Sequence, residues 1–303
     1  MTPSPNLSRF WLFRKGFPQG AVWACLTALV SITNDVVARQ ASGNLDGLQI
    51  SFFRFLFSML TVLPFMIPKG LSAFKTSNPK LHVYRAVIGV AAIALYTYSV
   101  LLVPLNEVTT FSFTQQFFVL ILAALFLKEK ISNNRWIATF FGFIGIMIVI
   151  DPTNSKVNLL AFIPMGAAFL FAGLDVLAKR MVGTETTMTL LFYFALGTTI
   201  AALGPALMVW KTPTYTELLW LFLLGSGANL IQVFLFRAFY AADASSLAPF
   251  RYVELVFASI FGYFLFGEVV KFNTILGAFV IIMTTLYLTY SETFHKRRAK
   301  KKA

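Results

Sequence analysis

The sequence predicts an all-α integral membrane protein with ten transmembrane helices, built as two inverted five-helix repeats. Its 303 residues are 58% hydrophobic and only 12% charged, whereas soluble domains carry about 25% charged residues to cover a water-facing surface. The apolar residues come in runs of roughly 20, the length that crosses a ~30 Å hydrocarbon core. Short motifs of the first half also recur in the second half. Together these observations place most of the chain within a lipid bilayer.

Apolar runs and the turn residues between them delimit the expected spans. These lie near residues 18–38, 47–67, 82–102, 106–127, 133–150, 159–179, 187–209, 215–239, 244–266 and 271–290. The connectors are short and carry turn residues such as Gly43 and Pro152, and none is long enough to hold a soluble domain. The function is therefore expected to reside within the bilayer.

Two motifs repeat at nearly the same spacing. The sequence DVVAR at 35–39 resembles DVLAK at 175–179, and ALFLKE at 124–129 resembles YFLFGE at 263–268. The expected units are residues 1–152 and 153–292, followed by a basic cytoplasmic tail at 293–303. Because each unit has an odd number of spans, the second enters the membrane from the opposite side. Inverted repeats of this kind support alternating access in transporters.

The basic residues set the expected orientation. Most of the 25 lysines and arginines fall at the N-terminus, after even-numbered spans or in the tail: Arg9, Arg14, Lys15, Lys69, Lys75, Lys80, Arg85, Lys128, Lys130, Arg135, Lys179, Arg180, Arg237 and six residues within 296–302. The other side carries only Arg39, Lys156, Lys211 and Lys271. Both termini are thus expected to be cytoplasmic. The polybasic tail points to anionic lipid rather than to nucleic acid.

Reactive side chains are scarce. The single cysteine, Cys25, excludes an intramolecular disulfide and a cysteine-based metal cluster. His82 and His295 are too few and too peripheral for a metal site. We therefore expect neither a bound metal nor a cofactor. We also expect that the protein is not an enzyme, since a membrane enzyme needs clustered His, Asp or Ser side chains.

Several motifs together resemble the EamA-type drug/metabolite transporter superfamily. They are the FFR motif ending at Arg54, the LKE and FGE ends of spans 4 and 9, and ASSLAP at 244–249. NDV at 34–36, SFFRF at 51–55 and APFRYVEL at 248–255 are similar to the S-adenosylmethionine transporters of obligate intracellular bacteria. This resemblance implies a bacterial inner-membrane carrier that takes up S-adenosylmethionine, in exchange for S-adenosylhomocysteine.

Charged residues inside the spans are the candidate site. A charge near the bilayer centre costs at least ~2.5–3.5 kcal/mol and needs a partner or a purpose. An arginine fork binds a carboxylate at two points, so Arg54 or Arg251 is the expected clamp. Asp35, Asp175 or Glu254 would balance the ammonium and the sulfonium.

Neutral groups complete the candidate site. Aromatic faces stabilise cations and stack on adenine; amides and hydroxyls supply hydrogen bonds. The expected residues are Asn34, Tyr96, Tyr98, Phe111, Thr114, Gln115, Asn229, Gln232, Phe250 and Tyr252. Gln115 aligns with Glu254 between the repeats, so an amide and an acid occupy equivalent positions.

Structural explanations compete for some of these residues. Asp35 and Asp175 each precede a basic residue, Arg39 and Lys179, by four positions, so the alternative is that each forms a pair at a helix end. Arg251 and Glu254 are three residues apart, a spacing that allows the two side chains to pair with each other. Glu129 and Glu268 are expected to end or cap helices. Five glycines are expected at close helix contacts: Gly142, Gly145, Gly225, Gly227 and Gly277.

The pattern as a whole predicts a secondary carrier that works by alternating access. The alternatives are an exporter of amino acids, purines or another metabolite in the same fold, a membrane enzyme, and a non-transporting assembly protein. A proton-coupled carrier would need an acid that titrates during the cycle, with Glu254 or Asp175 as the candidates.

Overall fold

The computed structural model describes residues 11–41, 45–102, 108, 111–150, 160, 162–267 and 272–302. Within these residues the chain contains no β-strand. Its α-helices of 12 or more residues are α1 Phe17–Ala41, α2 Gly47–Met66, α3 Pro79–Leu102, α4 Gln115–Phe126, α5 Asn133–Ile150, α6 Phe162–Met181, α7 Thr187–Met208, α8 Tyr215–Ala241, α9 Val253–Phe266 and α10 Phe272–Lys302. The predicted all-α class is confirmed.

Seven segments are long and apolar enough to cross a membrane. They are Phe17–Ala38, Gly47–Phe74, Phe162–Met181, Thr187–Met208, Tyr215–Ala241, Ala244–Leu265 and Phe272–Thr293. Two shorter apolar helices correspond to α4 and α5. Large apolar side chains such as Phe264 and Met208 lie exposed on the outside of the bundle, which suits a surface that faces lipid.

Polar residues fix several helix ends. The Asp46 carboxylate accepts a hydrogen bond from the Leu48 amide at the start of α2 (2.8 Å). Thr214 and Glu217 form a reciprocal capping box at the start of α8. At the end of α9, Gly267 adopts a left-handed conformation with φ of 65°, which residues with a Cβ rarely adopt. These caps fix where α2 and α8 begin and where α9 ends.

The ninth predicted span is not one continuous helix. A four-residue α-helix at Ala244–Leu247 passes into a 3-10 helix at Ala248–Tyr252, and α9 begins only at Val253. Pro249 lies in the first turn of the 3-10 helix and has no N–H to continue the preceding helix. The span predicted near 244–266 is confirmed as an apolar segment, Ala244–Leu265, and it contains this break.

The fourth span has a break at the corresponding place. Its helix α4 begins at Gln115, directly after a turn at residues 113–114; the expected start at 106 lies outside the described residues. The two breaks place Gln115 and Glu254 in the first turns of α4 and α9.

The last helix is longer than predicted. α10 continues to Lys302, well past the expected end of span 10 at residue 290. The segment 293–302, which we expected to be a separate tail, is thus helical in continuity with the last span. No glycine or proline interrupts the chain between Gly277 and the end, so nothing in its composition breaks the helix.

The packing between the two halves is symmetric. α1 packs on α8 and on α9, while α6 packs on α3 and on α4. α2 packs on α7 and α8, and α7 in turn packs on α3. α5 packs on α10. Exchanging α1–α5 with α6–α10 maps this set of contacts onto itself, so the two halves make equivalent contacts.

Glycines permit the closest helix approaches, as predicted. A Cβ on Gly277 of α10 would lie 2.5 Å from the carbonyl oxygen of Gly145 in α5. A Cβ on Gly225 of α8 would lie 2.8 Å from the Arg54 carbonyl oxygen in α2. Gly142 receives the Tyr252 ring and Gly227 the Asn34 side chain in the same way. Backbones meet at Gly225 and Gly277 because no side chain separates them, whereas Gly142 and Gly227 make room for a side chain of the neighbouring segment.

Candidate functional site

The charged residues of the spans converge between the two halves. Asp35 of α1 interacts electrostatically with Arg54 of α2, with Arg251 of the 3-10 helix and with Glu254 of α9. Arg251 interacts in turn with Asp175 of α6. All five charged candidates therefore belong to one cluster, which we call the central charge cluster.

Two acids of the second half each accept a hydrogen bond from a helix of the first half. The Gln115 amide donates to the Asp175 carboxylate over 2.9 Å, linking α4 to α6. Ser31 of α1 donates to the Glu254 carboxylate over 2.7 Å, linking α1 to α9. Asp35 is exposed even though it lies within an apolar span. The cluster is therefore accessible near Asp35 rather than fully enclosed.

The two intramembrane arginines keep their hydrogen-bond donors free. In the part of the chain that the structure describes, no hydrogen bond or ion pair engages the guanidinium of Arg54 or Arg251, and the Nε atom of each is buried. Guanidinium offers five N–H donors, and leaving buried donors unpaired is unfavourable. A carboxylate or another acceptor on a ligand would satisfy both groups.

The direct Arg251–Glu254 pair suggested by their spacing is not formed among the described residues. The spacing argument assumed one α-helix, but Arg251 lies in the 3-10 helix and Glu254 in α9. Glu254 bonds to Ser31 of α1 instead. This leaves Arg251 for other partners.

The expected helix-end pairs have other contacts in the structure. The Lys179 ammonium donates to the carbonyl oxygens of Phe239 and, at 2.6 Å, Ala242. Asp175 is held by Gln115. The side chain of Arg39 lies outside the described residues, so the Asp35 pair stays a prediction.

The neutral polar candidates fall into two groups. Asn229 bridges α8 to α2, donating to the Ser58 carbonyl oxygen and to Thr61 Oγ1 at 2.7 Å each and accepting from Ser58 Oγ at 2.6 Å. Thr114 donates to the Phe111 carbonyl oxygen at 2.5 Å. Asn34 is buried against Gly227. Gln232, by contrast, has a buried Oε1 with no hydrogen-bond partner among the described residues.

The aromatic candidates are also divided. Tyr96 is 40% exposed and interacts electrostatically with Asp35 and Glu254, so it adjoins the cluster. Tyr98 is exposed and Phe111 is partly buried. Phe250 packs edge-on against Phe17. Tyr252 is fully buried with Phe113, Ile146 and Ile281. Packing contacts therefore account for the burial of the Phe250 and Tyr252 rings.

Sequence patterns missed Arg85, which we counted with the cytoplasmic loops. It is only 3% exposed and donates to the Leu190 carbonyl oxygen over 3.0 Å. Its guanidinium lies over the rings of Phe194 and Phe236, at 4.7 and 5.2 Å from their centroids. These cation–π contacts allow a charge that was expected at the surface to be buried. Arg85 also interacts electrostatically with Asp175.

The loops that carry most basic residues meet at one end of the bundle, which we call the basic end. Thr76 and the Ser77 amide donate to the Glu185 carboxylate at 2.7 and 2.9 Å. Glu129 accepts from the amides of Ala244 and Ser245 at 3.0 and 3.1 Å, capping the helix Ala244–Leu247. The expectation that Glu129 caps a helix is confirmed; Glu268 lies outside the described residues.

Arg135 forms the largest polar group at the basic end. Its Nε donates to Glu292 of α10 at 2.8 Å, its Nη1 to Ser245 at 2.6 Å and its Nη2 to Asp243 at 3.0 Å. Arg135 and Glu292 are 5% and 9% exposed. This Arg135 cluster ties α5 and α10 to the segment that leads to Arg251.

The family of the chain follows from comparison with known proteins. The profile of the EamA-like transporter family matches residues 18–151 and 158–290. The chain belongs to the EamA-like transporter family. It is therefore a transporter and not an enzyme, and with its apolar segments it is a multi-pass membrane protein. The two EamA matches cover α1–α5 and α6–α10, so the central charge cluster lies between two EamA repeats.

Individual relatives share most of their length with this EamA protein. It is 38% identical over 278 residues to the S-adenosylmethionine uptake transporter of Rickettsia prowazekii, covering 92% of this chain and 95% of the relative. It is 30% identical over 288 residues to the riboflavin transporter of Vibrio cholerae, covering 93% and 96%. A solved crystal structure aligns with a TM-score of 0.77 and 13% identity over 90% of this chain and 97% of its own, which shows a shared fold.

Proposed function

We propose that this EamA protein takes up S-adenosylmethionine by alternating access, in exchange for S-adenosylhomocysteine. The Rickettsia prowazekii relative carries that substrate in its name and is similar over nearly the whole chain. The observation that carries the proposal is that the guanidiniums of Arg54 and Arg251, beside the acids Asp35 and Glu254, make no hydrogen bond to any residue that the structure describes.

The central charge cluster matches the chemistry of this substrate. S-adenosylmethionine has a carboxylate, an ammonium and a sulfonium close together at one end. The carboxylate would occupy the free donors of Arg54 or Arg251, since charge-assisted bonds to arginine are strong and directional. The ammonium and sulfonium would lie towards Asp35 and Glu254. Tyr96 adjoins the same acids and offers a ring face to the sulfonium.

The symmetric contacts support two inverted five-helix repeats and ten spans. α1 relates to α8 and α9 as α6 relates to α3 and α4, the pattern expected when two halves of opposite topology pack around a pseudo-two-fold axis. The breaks before α4 and α9 add to this, because inverted-repeat carriers place discontinuous helices at the substrate site. In this proposal residues 1–152 and 153–292 are the two repeats.

The arrangement also fits a carrier that is open to the outside and closed to the cytoplasm. The positive-inside rule assigns the basic end to the cytoplasm of a bacterial inner membrane, with both termini there. Glu129, Glu185 and the Arg135 cluster tie that end together. Asp35, which lies nearer the opposite end, is exposed. An exchanger needs no ion gradient, because binding and release of the outgoing product bring the binding site back to its outward-facing state.

The test is uptake of radiolabelled S-adenosylmethionine into proteoliposomes that contain the purified protein. We expect uptake to accelerate when S-adenosylhomocysteine is loaded inside, and to fall to background in the Arg54→Gln protein. An Arg180→Gln protein, altered at the end of α6, serves as the matched control and should retain uptake.

Two outcomes would change the proposal. Uptake that is independent of internal S-adenosylhomocysteine would remove the exchange and leave a uniporter or a proton-coupled carrier. Absence of uptake by folded protein would overturn the substrate. Riboflavin belongs in the same assay as a competitor, because the Vibrio cholerae relative is named for it; we expect it not to compete, since it lacks the charges that the cluster would balance.

A further inference from the structure

His82 is a buried histidine in the first turn of α3, near the basic end. It is only 5% exposed, and neither Nδ1 nor Nε2 has a hydrogen-bond partner among the residues that the structure describes. Its ring lies against Tyr193 of α7, with 4.7 Å between the ring centroids, and the Tyr193 hydroxyl donates to the Phe74 carbonyl oxygen at 2.7 Å. Buried polar groups are normally hydrogen-bonded. The burial of this ring therefore needs a reason beyond packing.

The residues just before His82 join the two halves of the protein. Oε1 of Glu185, directly before α7, accepts hydrogen bonds of 2.7, 2.9 and 3.1 Å, donated by Thr76 Oγ1 and by the amides of Ser77 and Asn78. We call these contacts the Glu185 clasp. The His82 amide donates to the Asn78 carbonyl oxygen at 3.3 Å, so the histidine lies one turn from the clasp.

A second clasp joins the same two helices, α2 and α7, at their other ends. Oε1 of Gln49, in the first turn of α2, accepts from the Lys211 amide at 3.0 Å, and the Gln49 amide donates to the Lys211 carbonyl oxygen. Gln49 is fully buried, and its amide does not change charge with pH. The Gln49 clasp is thus a neutral reference for the Glu185 clasp.

The surroundings of His82 offer little compensation for a bound proton. A protonated imidazole has two N–H donors, but in the described part of the chain neither ring nitrogen has an acceptor. Glu185 would attract the charge and Arg85, three residues along α3, would repel it. A buried charge whose donors are unpaired is unfavourable. The observed arrangement therefore suits a neutral His82.

Other charged groups on the surrounding elements are solvated or engaged elsewhere. Tyr193 is the titratable residue that faces His82 from α7. Lys179, near the end of α6, donates to backbone carbonyl oxygens. The remaining basic residues at the end of α6 and around the start of α3 are exposed, and water screens them: Lys69, Lys75, Lys80 and Arg180.

We propose that His82 makes the Glu185 clasp sensitive to pH, so that acid opens the clasp at the basic end. The charged ring is stable where water reaches it, and water reaches it when the segment at Phe74–Asn78 separates from Tyr193 and Glu185. A proton on His82 therefore favours the open clasp. The Gln49 clasp does not respond, because it contains no titrating side chain. This regulation does not depend on which molecule the protein carries.

The test is hydrogen–deuterium exchange of the purified protein at about pH 7.5 and about pH 5, a range in which histidine changes charge. Rates are corrected for the intrinsic pH dependence of amide exchange. We expect peptides that cover Ser77 and Asn78 to exchange about tenfold faster in acid, since binding of one proton changes an opening equilibrium by up to about tenfold per pH unit. Peptides that cover Lys211 should keep their rate.

His82→Gln, which keeps a neutral polar side chain, is expected to abolish the acceleration. A pH response that survives in this variant overturns the inference and assigns the response to another group. Equal exchange at both pH values in wild type, or equal acceleration at both clasps, also overturns it. If His82→Gln does not fold, His82→Asn replaces it, and the comparison of the two clasps in wild type still decides. No substrate is present, so the result is independent of S-adenosylmethionine uptake.

Discussion

The amide of Gln115 donates a hydrogen bond to the carboxylate of Asp175 over 2.9 Å. The repeat-related positions hold Asp35 of α1 and Glu254 of α9, two acids that interact through their like charges. Both pairs join the first half to the second, one as a neutral–acid pair and the other as an acid–acid pair. Two neighbouring carboxylates attract a cation, so the second pair marks where a positive group of a substrate would reside.

Glu254→Gln tests this difference between the two pairs. We expect affinity for S-adenosylmethionine to fall by about tenfold, because one charge-assisted contact of about 1.5–3 kcal/mol is lost. Affinity for S-adenosylhomocysteine, which lacks the sulfonium charge, should fall less. Competition assays in proteoliposomes measure both. Equal losses for the two compounds would show that Glu254 does not respond to the sulfonium. Glu217→Gln, in the capping box of α8, is the control.

Arg54 offers a test of carboxylate binding. Arg54→Lys keeps the charge but removes the planar fork, so we expect it to retain about a tenth of wild-type transport efficiency or less. Arg54→Gln should be inactive. Efficiency is measured from initial uptake rates over a range of substrate concentrations. Full activity of the lysine protein would argue that Arg54 acts only through its charge.

The Arg135 cluster is expected to control opening of the basic end. Arg135→Ala leaves Glu292 buried and unpaired, so we expect the closed arrangement to lose a few kcal/mol. Residues behind the cluster should then become accessible. A cysteine introduced at Ala248 in a Cys25→Ser background should react faster with a hydrophilic thiol reagent added on the side of the basic end.

Charge reversal is the matched control for that experiment. Exchanging the charges of Arg135 and Glu292 together in an Asp243→Asn background should restore slow labelling, because an ion pair of opposite polarity replaces the 2.8 Å contact and no carboxylate of Asp243 is left to repel the new glutamate. Labelling that is fast in the double variant, or slow in Arg135→Ala, would contradict a closing role.

Glycine contacts predict large effects on folding at particular positions. Gly277→Leu places a side chain where the carbonyl oxygen of Gly145 lies within 2.5 Å of the Cβ, so α5 and α10 must separate. We expect a loss of about 1–3 kcal/mol or more, measured as a lower melting temperature in detergent. Gly204→Leu has no atom within 4 Å of its Cβ and should be tolerated. Similar melting temperatures for the two variants would refute the contact.

Asn229 separates packing from binding. Asn229→Leu removes three contacts to Ser58 and Thr61 on α2 and leaves their polar groups unpaired, so stability should fall by about 1–3 kcal/mol. Affinity for substrate should change by less than about threefold if Asn229 only joins helices. Thermal melting and uptake assays on the same preparation distinguish the two effects.

Apolar run length and intramembrane charge predicted much of this molecule. Both properties can be read from short stretches of sequence. Run length predicted the helical class, and intramembrane charge identified the members of the central charge cluster, Asp35, Arg54, Asp175, Arg251 and Glu254. Breaks inside a span were harder to predict. Pro249 signals one, but the residues before Gln115 carry no such signal.

Burial decided the remaining differences. Arg85 resembles a loop residue in sequence because its partners, Phe194 and Phe236, lie far along the chain. Gln116 is adjacent to Gln115, and only tertiary packing shows that Gln115 bonds to Asp175 whereas Gln116 is buried on a pocket wall beside Asp175 and Arg251. The direction in which a side chain leaves α4 depends on the residue at which that helix begins. The sequence does not fix this residue, so it does not predict that Gln115 and Gln116 have different surroundings.

The contrast between Gln115 and Glu254 has a consequence for how such a carrier can arise. An assembly of two identical five-helix chains must carry the same residue at both positions, either two amides or two acids. A single gene that encodes both halves is free of that restriction, so each copy can diverge on its own. Fusion of the copies thereby allows the route across the membrane to differ in charge between its outer and inner sections, which no homodimer of the ancestral unit achieves.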